Sequence, residues 1–164
     1  MAVYLRVRLT RFAVREITLA HVAERLLSAV GESRSELSLE LIGDRRMRRL
    51  NREYRKKDRP TDVLAFSIRE AVMPHGVRPA THMLGDVVIS LPTAVRQAKE
   101  AGRSIDDELT MLLVHGVLHL CGYDHERNPR EAARMARRER ALLHRISPVP
   151  RMVTFRTARQ IRSR

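Results

Sequence analysis

The sequence predicts an α+β domain: a small mixed sheet of about four strands with helices packed around it. Three observations predict it. Residues 2–8 and 36–42 alternate apolar and polar, the period-2 signature of a strand with one buried face, while Val63–Phe66 and Leu84–Ser90 are short apolar runs of strand length. Segments with helical spacing of apolar residues separate or follow them. One segment, which starts at Ser104 to Asp107 and continues through Leu120, is apolar nearly all round and is therefore the central buried helix. At 164 residues the chain makes one domain, assigned to residues 1–146, long enough for a real core.

In the first strand, Val3, Leu5 and Val7 face one way against Tyr4, Arg6 and Arg8. Thr18 is the expected cap of an amphipathic helix over 21–30, closed by Gly31. His21, at its start, reads as a surface residue. Leu37, Leu39 and Leu41 mark the second strand, and Asp44 is the expected cap of the following helix. That helix buries Met47 and Leu50 and surrounds them with Arg45, Arg46, Arg48, Arg49 and Arg52, either a solvated face or a phosphate-contacting one. Arg55, Lys56, Lys57 and Arg59 then form a basic loop ending at Pro60, and Val63–Phe66 is the third strand. A cationic loop feeding a buried strand puts guanidinium at a sheet edge, where Arg55 can hold a phosphate in bidentate fashion.

Residues 69–82 contain Pro74, Gly76 and Pro79 and read as a surface loop; its His75 and His82 have no spacing relation to other ligands. After the fourth strand, Pro92 opens a helix that buries Ala94, Val95, Ala98 and Ala101 and ends at Gly102. Ser104 to Asp107 start the central helix with acidic residues at its positive end. Asn128 caps the next helix with Pro129 at its first position, and Met135, Leu142 and Ile146 pack inward. His144 reads as exposed. Residues 147–164 carry five arginines and little apolar content, so they read as a flexible basic tail that either binds RNA through counterion release or has no role.

The chemistry concentrates at the end of the central helix, in His115-Gly-Val-Leu-His119-Leu-Cys-Gly-Tyr-Asp-His125. Histidines four apart lie on one helix face. Gly122 supplies the left-handed turn that ends the helix and lets the chain return His125 to the same point. Two histidines alone can be satisfied core residues. A third, across a helix-breaking glycine, makes His115, His119 and His125 a transition-metal site. Imidazole ligands favour zinc with one open position. The spacing is that of metzincin peptidases, but their general-base glutamate is replaced by Gly116.

Net charge is +13, from 32 Lys+Arg against 19 Asp+Glu, which calls for a polyanionic partner, most commonly nucleic acid. Aromatics are 4% and Trp is absent, which argues against a recognition surface dominated by base stacking. The single cysteine, Cys121, excludes an intrachain disulfide framework and reads as a buried filler. No stretch resembles a signal peptide or a membrane span, so a cytoplasmic protein is expected.

Three segments together resemble the YbeY family of bacterial single-strand-specific endoribonucleases. The family pattern His-Gly-x-Leu-His-Leu-x-Gly-Tyr-Asp-His matches residues 115–125, Asn-x-x-Tyr-Arg-x-x-Asp-x-Pro-Thr-Asp-Val-Leu matches Asn51–Leu64, and Leu-Gly-Asp-hydrophobic-hydrophobic-Ile-Ser matches Leu84–Ser90. The resemblance implies one zinc ion on His115, His119 and His125, with His115 and Arg55 essential to catalysis. Lys56, Lys57 and Arg59 are expected to hold the RNA backbone on either side. It also implies a role in ribosomal RNA maturation, including the 3′ end of the small-subunit RNA, and in ribosome quality control. The implied partners are the small ribosomal subunit, one of its proteins and the GTPase Era. Two positions depart from the family pattern: Ala65 stands where Ser is usual, and Ser67 where Pro is usual. From the residues alone, two other classes stay open: a zinc metallopeptidase-like hydrolase, and a non-catalytic RNA-binding assembly factor. Asp124 is either a distant base or a turn-forming residue.

Overall fold

The computed structural model describes residues 3–69 and 82–163. The main sheet contains β1 (Val3–Val7), β3 (Glu36–Ile42), β4 (Val63–Ser67) and β5 (Met83–Ser90), in the order β1-β3-β5-β4. β1 pairs parallel with β3, and β3 with β5, while β4 runs antiparallel along β5. The mixed α+β architecture is therefore as the sequence predicts. The helices are α1 (Glu16–Ala29), α2 (Asp44–Arg55), α3 (Leu91–Ala101), α4 (Ile105–Leu120), α5 (Pro129–Ile146) and α6 (Ala158–Arg162).

Period-2 alternation decides which face each strand residue buries. Leu37, Leu39 and Leu41 of β3, with Val87 and Ile89 of β5, face the main core and meet α1, α4 and α5 there. Ile42 and Val88 point to the opposite face and form a smaller cluster with Met47 of α2 and Leu64 of β4. α4 is the hub, since it touches α1, α3, α5, β4 and β5. Ten of its residues are buried, and its buried Glu108 is neutralised by Arg103 at 2.9 Å. Ser104 caps it by accepting from the Asp107 amide, and Asn128 caps α5 by accepting from Glu131.

The described residues differ from the sequence expectations in four places. α1 begins at Glu16, so Thr18 lies inside its first turn and no side chain caps it. Gly43, not Asp44, is the N-cap of α2, because the Asp44 carboxylate is occupied elsewhere: it accepts from the Ser90 and Thr93 hydroxyls at 2.7 Å each and ties α2 to α3. Arg55 is the last residue of α2, and the loop proper begins at Lys56, which takes a left-handed conformation.

The fourth difference is the largest. The expected flexible tail is folded over 151–155. β6 (Val153–Phe155) pairs antiparallel with β2 (Phe12–Val14), a second small sheet the sequence reading did not include. Met152 and Val153 are buried, and one carboxylate oxygen of Asp106 accepts from both their amides, at 2.7 and 3.0 Å. Met-Val-Thr-Phe is too short to show periodicity, and its anchor sits far away in the sequence. The 69–82 loop lies mostly outside the described residues, and so does His75. His82 is described and exposed, as are His21 and His144.

Candidate metal centre

α4 ends at Leu120, one residue after His119. The Gly122 amide donates to the His119 carbonyl at 3.0 Å, and the Tyr123 amide donates to Leu118 at 3.1 Å. Gly122 has φ +95, a conformation that disfavours any side chain. The Asp124 carboxylate then accepts from the Glu126 amide at 3.0 Å, which makes it a turn former. Arg134 of α5 stacks 4.5 Å over the Tyr123 ring and holds the turn against α5. The result returns His125 toward the helix.

The three rings form a nearly equilateral triangle, with centroids 4.7, 5.0 and 5.1 Å apart. Each offers a nitrogen, and these nitrogens lie within 4.8 Å of one another. The Nε2 atoms of His115 and His119 are 3.1 Å apart. Two nitrogens bound to one zinc at tetrahedral angles stand about 3.3 Å apart, so this pair is close to ligand spacing. Two further features fit a metal. The Nδ1 of His125 is buried with no hydrogen-bond partner. Burial, and then the neighbouring His115 and His125, lower the pKa of His119, keeping it in the neutral form that a metal needs.

Glu139 of α5 completes the site. Its carboxylate lies 2.5 Å from His115 Nδ1. That contact fixes the proton on Nδ1 and leaves Nε2, which faces His119, free to act as a ligand. Sequence spacing held no signal for Glu139: it lies 24 residues from His115 on a helix read only as basic outside.

Gly116 explains the missing glutamate. A Cβ there would sit 2.8 Å from Val87 Cγ1 and 3.1 Å from Cγ2, because α4 packs on the sheet through this residue. Residue 116 therefore faces the core, and a peptidase-type glutamate has no room.

The histidines sit in a cleft of about 810 Å³ that Arg55, Lys57 and Tyr54 also line. Arg55 is thus brought to the site from α2, with its guanidinium 3.7 Å from Glu126. Its placement depends on how the loop after α2 folds back. The buried Asn51 donates to the Arg59 carbonyl at 2.8 Å, and Arg48 grips Asp58 through two contacts of 2.9 and 3.1 Å. Lys57 lines the cleft with Arg55, whereas Lys56 and Arg59 are exposed and do not line it. Both departure positions, Ala65 and Ser67, also line it. Sequence reasoning missed Tyr54 as a wall of the cleft. The residue is 63% exposed, with its ring edge-on to Phe66 at 5.1 Å.

A family model described as Endoribonuclease YbeY matches residues 6–147. The chain belongs to that family. Relatives carrying the YbeY name include one from Geobacter metallireducens, 48% identical over 87% of this chain and 93% of its own. The Aquifex aeolicus YbeY is 43% identical over 86% of this chain and 90% of its own. The Myxococcus xanthus YbeY is 57% identical over 66% of this chain, but the match spans only 35% of that longer protein. The solution structure of TM1509 from Thermotoga maritima shares the fold, with a TM-score of 0.58 and 23% identity over 88% of both chains. The YbeY match ends at Ser147, so the β6 and α6 segments lie beyond it. No helix among the described residues is long and apolar enough to cross a membrane.

Proposed function

We propose that this chain is a zinc-dependent, single-strand-specific endoribonuclease acting in ribosomal RNA maturation, at the 3′ end of the small-subunit RNA, and in ribosome quality control. The observation that carries the reading is the meeting of three imidazoles and one guanidinium in a single cleft of a chain of the YbeY family. His115, His119 and His125 hold the metal, which when bound supplies Lewis-acid polarisation of the phosphate. Arg55 stabilises the charge that gathers on the phosphate oxygens in the transition state. Its contact with Glu126 is long and solvent-exposed, so a doubly contacted phosphate oxygen pair displaces it at small cost. Lys57 neutralises a neighbouring phosphate, and Lys56 and Arg59 add to the field around the cleft mouth. Bases must leave their stack to enter the cleft, which selects single strands. The small ribosomal subunit, one of its proteins and the GTPase Era are the proposed partners, in the cytoplasm.

The test compares wild type with Arg55→Ala and His115→Ala proteins that keep their melting temperature. Both variants should lose cleavage of a single-stranded RNA, and cells relying on them should accumulate unprocessed small-subunit RNA. Normal RNA ends with either variant would reduce the protein to a non-catalytic assembly factor. The cleaved ends report the attacking group: a 2′,3′-cyclic phosphate excludes direct hydrolysis by water.

A further inference from the structure

We infer that β6 and α6, which lie beyond the family match, form with β2 a second RNA-binding surface remote from the metal centre. The inference rests on the proposed nuclease reading only for the identity of the polyanion.

Residues 148–164 hold five arginines and no acidic residue, so this short segment supplies five of the thirteen net positive charges. Its arginines join two that flank the paired strand: the Arg156 amide donates to the Arg11 carbonyl at 2.8 Å, and Arg15 Nη1 reaches the Arg151 carbonyl at 3.5 Å. Among the described residues, arginines such as Arg8, Arg48, Arg69 and Arg96 lie against carboxylates, while others, such as Arg45, Arg49, Arg137 and Arg140, have none within ion-pair distance. Among the described residues, none of Arg11, Arg15, Arg151, Arg156, Arg159 and Arg162 has a carboxylate within ion-pair distance. Guanidinium groups without carboxylate partners leave a positive field that attracts a polyanion.

A polar tail kept only for solubility needs no anchor. This one is fastened by buried Met152 and Val153 and by Asp106 at the start of α4. The anchor holds the cations in place beside an exposed aromatic ring: Phe155 is 61% exposed and lies against Phe12 at 5.1 Å. Cations next to an open ring suit single-stranded nucleic acid, whose bases stack while its phosphates pair. An anionic lipid surface fits less well, because α6 is five residues long and Ile161 is its only large apolar residue.

Geometry sets the RNA length required. From Asp106 to His119 along α4 is roughly 20 Å at 1.5 Å per residue. Stacked nucleotides at about 3.4 Å each need roughly six to cover that span, and more if the strand wraps. A stacked RNA of about five nucleotides therefore falls short of covering both surfaces, whereas one of about 25 covers them readily.

The experiment uses the full chain with Arg151→Gln, Arg159→Gln and Arg162→Gln combined, all three exposed, a melting curve serving as the folding control. Binding of a labelled 25-nucleotide single-stranded RNA is followed by fluorescence anisotropy in chelator, and cleavage of a five-nucleotide RNA is measured separately with zinc. Each lost phosphate contact removes about 0.7 from the salt slope and roughly fourfold in affinity at 0.15 M salt. The triple variant should bind the long RNA at least tenfold more weakly, with a shallower salt dependence, and cleave the short RNA like wild type. Unchanged affinity and slope on the long RNA would overturn the inference. So would a loss confined to vesicles containing anionic lipid, which would assign the face to membranes. Failure of wild type to cleave any RNA would instead sink the nuclease reading, and the binding comparison would still decide this one.

Discussion

Replacing Glu139 by glutamine should weaken zinc binding by about five- to twelvefold while leaving the fold intact. The wild-type contact is charge-assisted, from His115 Nδ1–H to a carboxylate 2.5 Å away. Such bonds contribute about 1.5–3 kcal/mol, against about 0.5–1.5 for the neutral amide oxygen that glutamine offers. The difference, about 1–1.5 kcal/mol, converts to that range at 1.4 kcal/mol per factor of ten. Partners of metal-bound histidines typically contribute 10- to 100-fold, and this pair belongs at the lower end. His115 is 31% and Glu139 28% exposed, so solvent screens the charge. Glu139→Ala removes the orienting acceptor as well and should cost more, near the upper end. Competition against a chelator of known zinc affinity reads both variants. Glu131→Gln on the same helix, whose carboxylate contacts only Arg134, is the control and should change nothing. Wild-type affinity in both Glu139 variants would refute the claim that α5 orients the ligand.

Gly116→Ala should destabilise the protein by about 1–3 kcal/mol in urea unfolding, because its methyl must displace the stiff, fully buried Val87; adding Val87→Ala should recover part of that loss, and no recovery would mean the strain lies elsewhere. Met152→Ala should cost about 2–5 kcal/mol, since the side chain is fully buried, whereas a flexible tail predicts no change in the urea midpoint. The Arg69 hydrogen bond is the largest influence on Glu32 and holds its pKa below the ordinary 4.5, against opposition from burial. A depressed carboxylate pKa means its stabilisation is complete above about 4.5 and lost as pH falls through the lowered folded value. Melting temperature measured from pH 6 to pH 3 should therefore fall more steeply for wild type than for Glu32→Gln, and parallel curves would contradict it.

The parts of this molecule that were legible in the sequence are those written in local periodicity. Leu37, Leu39 and Leu41 alternate, and a strand stands there. Asn128 caps the helix it precedes, because a cap acts within three residues. The histidine triad was legible for the same reason: a helix and one glycine turn suffice to bring its members together.

What the sequence hid are contacts that join distant segments. Asp44 looks like a cap, yet its carboxylate spans to Ser90 and Thr93, and no local rule contains that alternative. Glu139 looks like one more charge on a polar helix until α5 is laid against α4. Asp106 looks like a helix-start acid favoured by the dipole, and its neighbour Asp107 gives the same signal; only Asp106 accepts the amides of residues 152 and 153. In each case a carboxylate whose local role is satisfied or dispensable has been given a long-range partner. The buried or half-buried acids of so basic a chain are accordingly the places where its architecture is tied: Asp44 joins α2 to α3, Glu139 joins α5 to His115 of α4, and Asp106 joins the β6 segment to α4.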